Sequence, residues 1–381
     1  MRGPLAGIRI LELGHMLAGP YCGLVLADLG AEVIKVETAD GDIARRIGPN
    51  MVGEQNVYFA SLNRNKKSVC LDVSQQDDRK KFNALVASSH ALITNLRPSA
   101  IRKLGLTYDN LRHINPRIVC VALTGYGLDS PKAEYPAYDY VIQALTGVMA
   151  LTGDPDSPPT KTGYSAVDNS AGLGAAVGLL AKIVEGRGGQ VDLAMYDIML
   201  SQMNYLAAAW LNAQDPPMRY AGSAHPYIVP AQLFRTSDHF LCIFVTHDDF
   251  WRRLAEEVGH PEWVSDRAFA TMSARRENRE AVVGALQEVL LTDTTERWLK
   301  RLQPTGIVVS GVETLATALA DEQIAARRMT ISMESESGVI RTLGNPIKFG
   351  PVDIEPTPPP RLGEHTDMLL SSSPSGGPDE D

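Results

Sequence analysis

Short runs rich in β-branched residues alternate with amphipathic stretches through the first half of the chain. The runs cover residues 8–13, 32–37, 68–73, 91–95 and 118–123, and they are rich in Ile, Val and Leu. That length and composition predict strands. Between them, residues 21–29 and 77–88 repeat apolar positions at helical spacing. A strand that returns parallel through a helix is the βαβ unit, so the pattern predicts an α/β fold built on an open, Rossmann-like parallel sheet. Helices are also predicted over 171–186 and 192–212, the second with a long apolar face.

The pattern shifts near Asp215-Pro-Pro-Met218, after which come a strand-like run at 240–245 and helical stretches at 248–258 and 278–302. The expected organisation is therefore a large Rossmann-like domain over 1–215, joined by a returning segment over 326–370, and a smaller α+β domain over 220–325. Residues 371–381 lack apolar side chains and are expected to be a disordered tail.

Composition narrows the functional classes. With 44% hydrophobic and 21% charged residues the chain is of globular type. The balance of 36 basic against 45 acidic residues, without a basic block, argues against a nucleic-acid partner. Cys22, Cys70, Cys120 and Cys242 form no CxxC pair, so neither a zinc knuckle nor a disulfide framework is expected and a reducing, cytoplasmic setting fits. Arg9 and Glu12 interrupt any signal-peptide core, and no uninterrupted apolar run of about 18 residues marks a membrane span. His239 and His247 are the nearest histidine pair and lack a third ligand at a metal spacing, so no metal is expected.

Few motifs carry chemistry. The glycines of Gly172-Leu-Gly-Ala-Ala-Val-Gly178 have the spacing GxGxxxG, which fits close helix packing better than a dinucleotide fingerprint. There is no P-loop and no GxSxG. Asp168, just before the Ala/Gly-rich helix, admits two readings. One is an N-cap, its carboxylate accepting helix amides. The other is a nucleophile, kept ionised by the same amides and the helix dipole, with small neighbours leaving room for a ligand.

A resemblance covers almost the whole chain. The opening Leu5-Ala-Gly-Ile-Arg-Ile-Leu-Glu-Leu13, then Leu17-Ala-Gly-Pro20, the run from Leu26 to Glu37 and Asn63-Arg-Asn-Lys-Lys-Ser68 resemble class III CoA-transferases. So do Gly105 to Arg117, Leu123-Thr-Gly-Tyr-Gly127, His225-Pro226 with Val229-Pro230, and Pro358 to Thr366. The resemblance implies that Asp168 is a nucleophile forming aspartyl-anhydride and aspartyl-CoA intermediates, with CoA and acyl-CoA as substrates and no tightly bound cofactor. It implies CoA contacts at Met16, Ala18, Leu71, Asn95, Lys103 and Met199. The family often carries Arg where this chain has Thr38, so phosphate binding is expected at Arg45, or at Arg46 or Lys66. Gly222 stands where the family places a glycine lid. Racemases of the same fold carry His where Tyr138 stands, which favours transfer over racemisation, with Tyr138 as a hydrogen-bonding residue of the acyl pocket. Formyl-CoA transferases carry Gln where Leu17 stands, which turns the expectation away from oxalate and formate. The tail and the Asn63 stretch look most like succinyl-CoA-dependent dicarboxylate enzymes. An interlocked homodimer is also implied. The alternatives are a racemase-like enzyme and a non-catalytic acyl-CoA-binding protein.

Overall fold

The computed structural model describes residues 3–350 and 354–371. Its contacts separate two units, one formed by Met1–Thr146, Gly163–Asn204 and Glu322–Asp381, the other by Gly147–Thr162 and Tyr205–Asp321. Residues 147–162 thus group with the second unit, not with the large stretch 1–215.

The first unit is built on six strands, β1 Arg9–Leu13, β2 Glu32–Glu37, β3 Lys66–Cys70, β4 Ala91–Thr94, β5 Val119–Thr124 and β6 Gly189–Ala194. All neighbours pair in parallel, in the order 3-2-1-4-5-6. This is the doubly wound order of Rossmann sheets, in which the winding reverses between strands 1 and 4. Ile10, Leu11, Ile34 and Leu92 are completely buried, because helices cover both faces of a parallel sheet.

The sixth strand departs from the expected helix over 192–212. Residues 189–194 alternate Gln190 and Asp192 with Val191 and Leu193, the half-buried pattern of an edge strand, and the chain turns helical only at Met195. The opposite edge, β3, is covered by the chain's return. The carbonyl of Ser68 accepts the N–H of His365 at 2.9 Å, and the N–H of Cys70 donates to Thr366 Oγ1 at 3.0 Å. The tail motif from Pro358 to Thr366 therefore blunts an edge that would otherwise present unpaired amides. The expected disordered tail, beyond Ser371 at the end of the helix Thr366–Ser371, lies outside the described residues.

The helices that matter for function are α1 Ala18–Asp28, α2 Pro98–Lys103, α3 Asp139–Leu145, α4 Ala166–Glu185 and α5 Met195–Ser201. Helix α4 starts five residues earlier than its expected 171. A side chain at Gly172 would lie 2.9 Å from the carbonyl oxygen of Ala18, so the glycine lets α4 press against α1. Gly174 and Gly178 face Ile198, Leu193 and Val191 in the same way. The GxGxxxG spacing is helix packing, as expected.

The second unit carries a three-stranded antiparallel sheet of Ala231–Arg235, Phe240–Phe244 and Val308–Gly311. Trp251, Leu254, Leu286 and Trp298 fill its core. The expected single helix over 278–302 is two, Arg279–Leu290 and Thr295–Leu302, because Thr294 caps a new helix through the N–H of Arg297.

Candidate active site at the sheet switch point

Ligands of open α/β sheets bind outside the carboxyl ends of the strands where the winding reverses. Here that point lies between β1 and β4, and a cleft opens there. His15, Met16, Leu17 and Ala18 line it from the end of β1, and Asn95, Leu96, Arg97 and Pro98 from the end of β4. Thr124 at the end of β5, Gly125 after it, Tyr138, Asp168 and Met195 are also among its lining. The fold therefore brings Met16, Ala18, Asn95, Tyr138 and Asp168 together, although they are scattered through the sequence.

Asp168 is the third residue of α4, inside the first turn. Neither expectation about the helix amides holds. The N–H groups of Val167 and Asp168 donate to Asp139 Oδ2 at 2.8 and 3.3 Å, so Asp139, from the start of α3, closes the helix. Gln143 Nε2 donates to the other oxygen of Asp139 at 2.7 Å. The carboxylate of Asp168 is left half-buried in the cleft. Burial first, and then the negative charge of Asp139, push its pKa up to about 7. The amides that were expected to keep Asp168 ionised are spent on its neighbour instead.

Tyr58 belongs to the same neighbourhood. Burial raises its hydroxyl, and the charges of Asp168 and Asp42 add to the effect.

The raised carboxylate has a thermodynamic consequence. Below the ordinary aspartate value of 3.8 both folded and unfolded chains hold the proton. Between there and about 7 only the folded chain keeps it, so stability falls as pH rises across that window. Asp168→Asn, neutral at every pH, is expected to melt above the wild type at pH 8, by on the order of 1–2 kcal/mol after allowing for the solvent side of the cleft, and the gap should narrow toward pH 4. Thermal melts at both pH values check this, and a gap independent of pH would contradict it.

Other expected site residues fall elsewhere. Leu71 is 2% exposed inside the apolar core beside Val36 and Val69, with no face for a ligand. Arg45 forks onto Glu37 at 2.8 and 2.7 Å, donates to the carbonyl of Pro360 and lies over the Phe59 ring, so its guanidinium is already satisfied and the phosphate-binding expectation is not supported. Lys66 is likewise consumed, its ammonium bound by Glu12, the carbonyl of Pro20 and Asn63 within the sheet. Burial lowers it to about 8. Arg46 donates to the carbonyl of Asp40 at 2.6 Å. Met199 is buried in α5, and Lys103 is exposed at the end of α2; neither lines the cleft. Gly222 belongs to the second unit, where its φ of 65° and the carbonyl of Leu233 at 2.9 Å from a would-be Cβ require glycine for a local turn. Its N–H donates to Asp154.

The structure adds residues that the sequence did not single out. Arg97 is exposed in the cleft, and no ion pair holds it among the described residues. It stands between β4 and Pro98, the position where a strand of this sheet hands over to a helix, which is the signal that could have found it. Asp139 carried no comparable signal, since it lies 29 residues before the carboxylate it influences.

The family model CoA-transferase family III matches residues 5–366. Among similar curated proteins, acetyl-CoA:oxalate CoA-transferase of Acetobacter aceti is 34% identical over 92% of this chain and 90% of its own length. Succinate–glutarate CoA-transferase of Agrobacterium fabrum is 32% identical over 97% of this chain and 95% of its own length. Among solved structures, a CaiB/BaiF family protein from Brucella suis superposes with a TM-score of 0.85 at 33% identity, covering 98% of this chain and all of that one.

Proposed function

This chain belongs to CoA-transferase family III, and from that premise we propose that it moves CoA from an acyl-CoA to a small dicarboxylic acid with Asp168 as the covalent relay. The observation that carries the reading is the carboxylate of Asp168, open to the cleft at the switch point and relieved of helix capping by Asp139.

The reaction follows from that placement. A carboxylate oxygen of Asp168 attacks the thioester carbonyl, the C–S bond breaks, and a mixed anhydride and CoA thiolate form. The thiolate attacks the Asp168 carbonyl and expels the donor acid, leaving an aspartyl-CoA thioester. An acceptor carboxylate attacks that thioester and frees the thiolate again; the thiolate then takes the acceptor's acyl group and restores Asp168. No proton is gained or lost overall. The carboxylate is weakly nucleophilic in water, so positioning at the cleft must supply most of the advantage, and the remote CoA handle provides binding energy for it.

Two features support details of the reading. Arg97 offers a free guanidinium at the mouth of the cleft, suited to a CoA phosphate. Arg97→Ala is expected to raise the KM for acyl-CoA about tenfold or more while kcat changes less than about threefold, as for loss of a charged hydrogen bond made equally in ground and transition states. Steady-state kinetics decide, and an unchanged KM removes Arg97 from the site. Tyr138 lines the same cleft as Asp168, at the position where racemases of this fold carry His, and this supports transfer over racemisation.

The dicarboxylate class rests on the names of the two curated relatives, one acting with oxalate and one with succinate and glutarate. The expectation against oxalate drawn from Leu17 is therefore dropped, and oxalate joins succinate and glutarate as a test acceptor. Helix α4 is apolar and long enough by composition to span a membrane, yet its Gly172 lies on α1 and its Gly174 and Gly178 lie against α5 and β6. Its outward residues Leu173, Val177 and Val184 are exposed, which supports a second copy of the chain as their cover. Acetyl-CoA or succinyl-CoA offered with each acid, read by mass spectrometry of the CoA products, tests the activity; no new CoA ester from any pairing overturns it.

A further inference from the structure

Side chains from the segments that follow the two strands flanking β1 hold the loop at its carboxyl end. From the β4 side, Asn95 Oδ1 accepts the N–H of His15 at 2.9 Å, and Asn95 Nδ2 donates to the His15 carbonyl at 2.9 Å. From the β2 side, Asp42 Oδ1 accepts the N–H of Met16 at 3.1 Å and that of Ala44 at 2.9 Å, while Oδ2 pairs with Lys35 at 2.9 Å. The N–H of Asp42 in turn donates to Glu37 at 3.0 Å. Asp42 is 4% exposed and does not line the cleft.

The residue held in this way is in an unfavourable conformation. Met16 has a φ of 64°, in the left-handed region. A side chain with a Cβ populates that region roughly 5- to 30-fold less than the right-handed one, and a flexible thioether offers no local hydrogen bond in compensation. The hydrogen bond to Asp42 comes from outside the loop and supplies the restraint. His15, Met16, Leu17 and Ala18 form one wall of the cleft, so a flip at Met16 would reshape that wall.

We propose that Asp42 is a positioning residue for the transfer reaction: by holding the amide of Met16 it keeps the loop after β1 in the shape that receives acyl-CoA. The proposal rests on the reading of the cleft as an acyl-CoA site and adds to it a residue that never touches the ligand.

The test is a cycle over Asp42→Ala and Met16→Gly, read by kinetics and by hydrogen exchange at residue 16. With Met16 in place, Asp42→Ala should speed exchange of that amide and raise the KM for acyl-CoA about tenfold, with kcat within about threefold. Glycine enters the left-handed region about as readily as the right-handed one, so in the Met16→Gly background the same substitution should raise KM by no more than about threefold. Asp42→Asn keeps an acceptor for the amide and should recover most of the KM. Equal KM effects in the two backgrounds, or a KM for Asp42→Asn as high as for Asp42→Ala, overturn the proposal. So does unchanged exchange at Met16. If the alanine variant does not fold, Asp42→Ala combined with Lys35→Met replaces it in the cycle, because the pair is then removed together and Glu12 keeps Lys66 as its partner. A wild type without transferase activity sinks the functional reading alone, because exchange at Met16 needs no substrate and still decides for or against the restraint.

Discussion

Asp168→Ala should retain at most about 10⁻⁴ of the wild-type kcat, in line with the loss of other covalent nucleophiles. Every bond exchange in the proposed cycle passes through that carboxylate, so no partial route survives its removal. Binding of acyl-CoA should persist, because the cleft walls contributed by His15 to Ala18 and by Asn95 to Pro98 remain. Asp168→Asn should be equally inactive, which separates the missing nucleophile from the missing volume. Wild-type protein mixed with acyl-CoA and hydroxylamine should carry a hydroxamate at residue 168 by peptide mass, and neither variant should. An Asp168→Ala protein that transfers CoA within tenfold of the wild type would show that the acids exchange without the relay.

The second large effect lies in the pH profile. Only the ionised carboxylate attacks, so kcat/KM should rise with pH and level off above the Asp168 value of about 7. Asp139 is the secondary cause of that raised value, after burial. Asp139→Asn removes the neighbouring charge while its side-chain oxygen can still accept the amides of Val167 and Asp168. The acid limb should therefore move to lower pH, part of the way toward an ordinary aspartate. At pH 5.5 the variant should be about 3- to 10-fold faster than the wild type in kcat/KM, and at pH 8 the two should nearly agree. A limb that stays in place, or moves upward, would exclude Asp139 as a contributor.

The sheet was legible because buried parallel strands write themselves as short runs rich in Ile, Val and Leu: β4 and β5 are almost wholly apolar, and β1 and β2 keep the aliphatic residues despite the charged Glu12 and Lys35 among them. β6 was not, since an edge strand needs only every second residue inside and its polar members read as helix. The location of Asp168 at the mouth of a helix was legible, but its electrostatic state was not. Local rules assign amides to the nearest carboxylate, whereas the fold delivers Asp139 to them. Arg45 and Lys66 show the same limit. A cation in sequence looks available for phosphate, and only the neighbouring strands reveal that Glu37 and Glu12 have already taken it.

Beneath the cleft, Lys35 pairs with both Glu12 and Asp42, and Lys66 pairs with Glu12, all four side chains lying almost wholly inside the first unit. Losing one member of such a set strands a charge away from water at a cost of about 3–5 kcal/mol, whereas exchanging the whole set for apolar residues can be neutral. A lineage descending from this protein cannot dismantle the foundation by single steps without passing through poorly folded ancestors. Cleft residues other than Asp168 can change one at a time, while the ionic bed below them is inherited as a block.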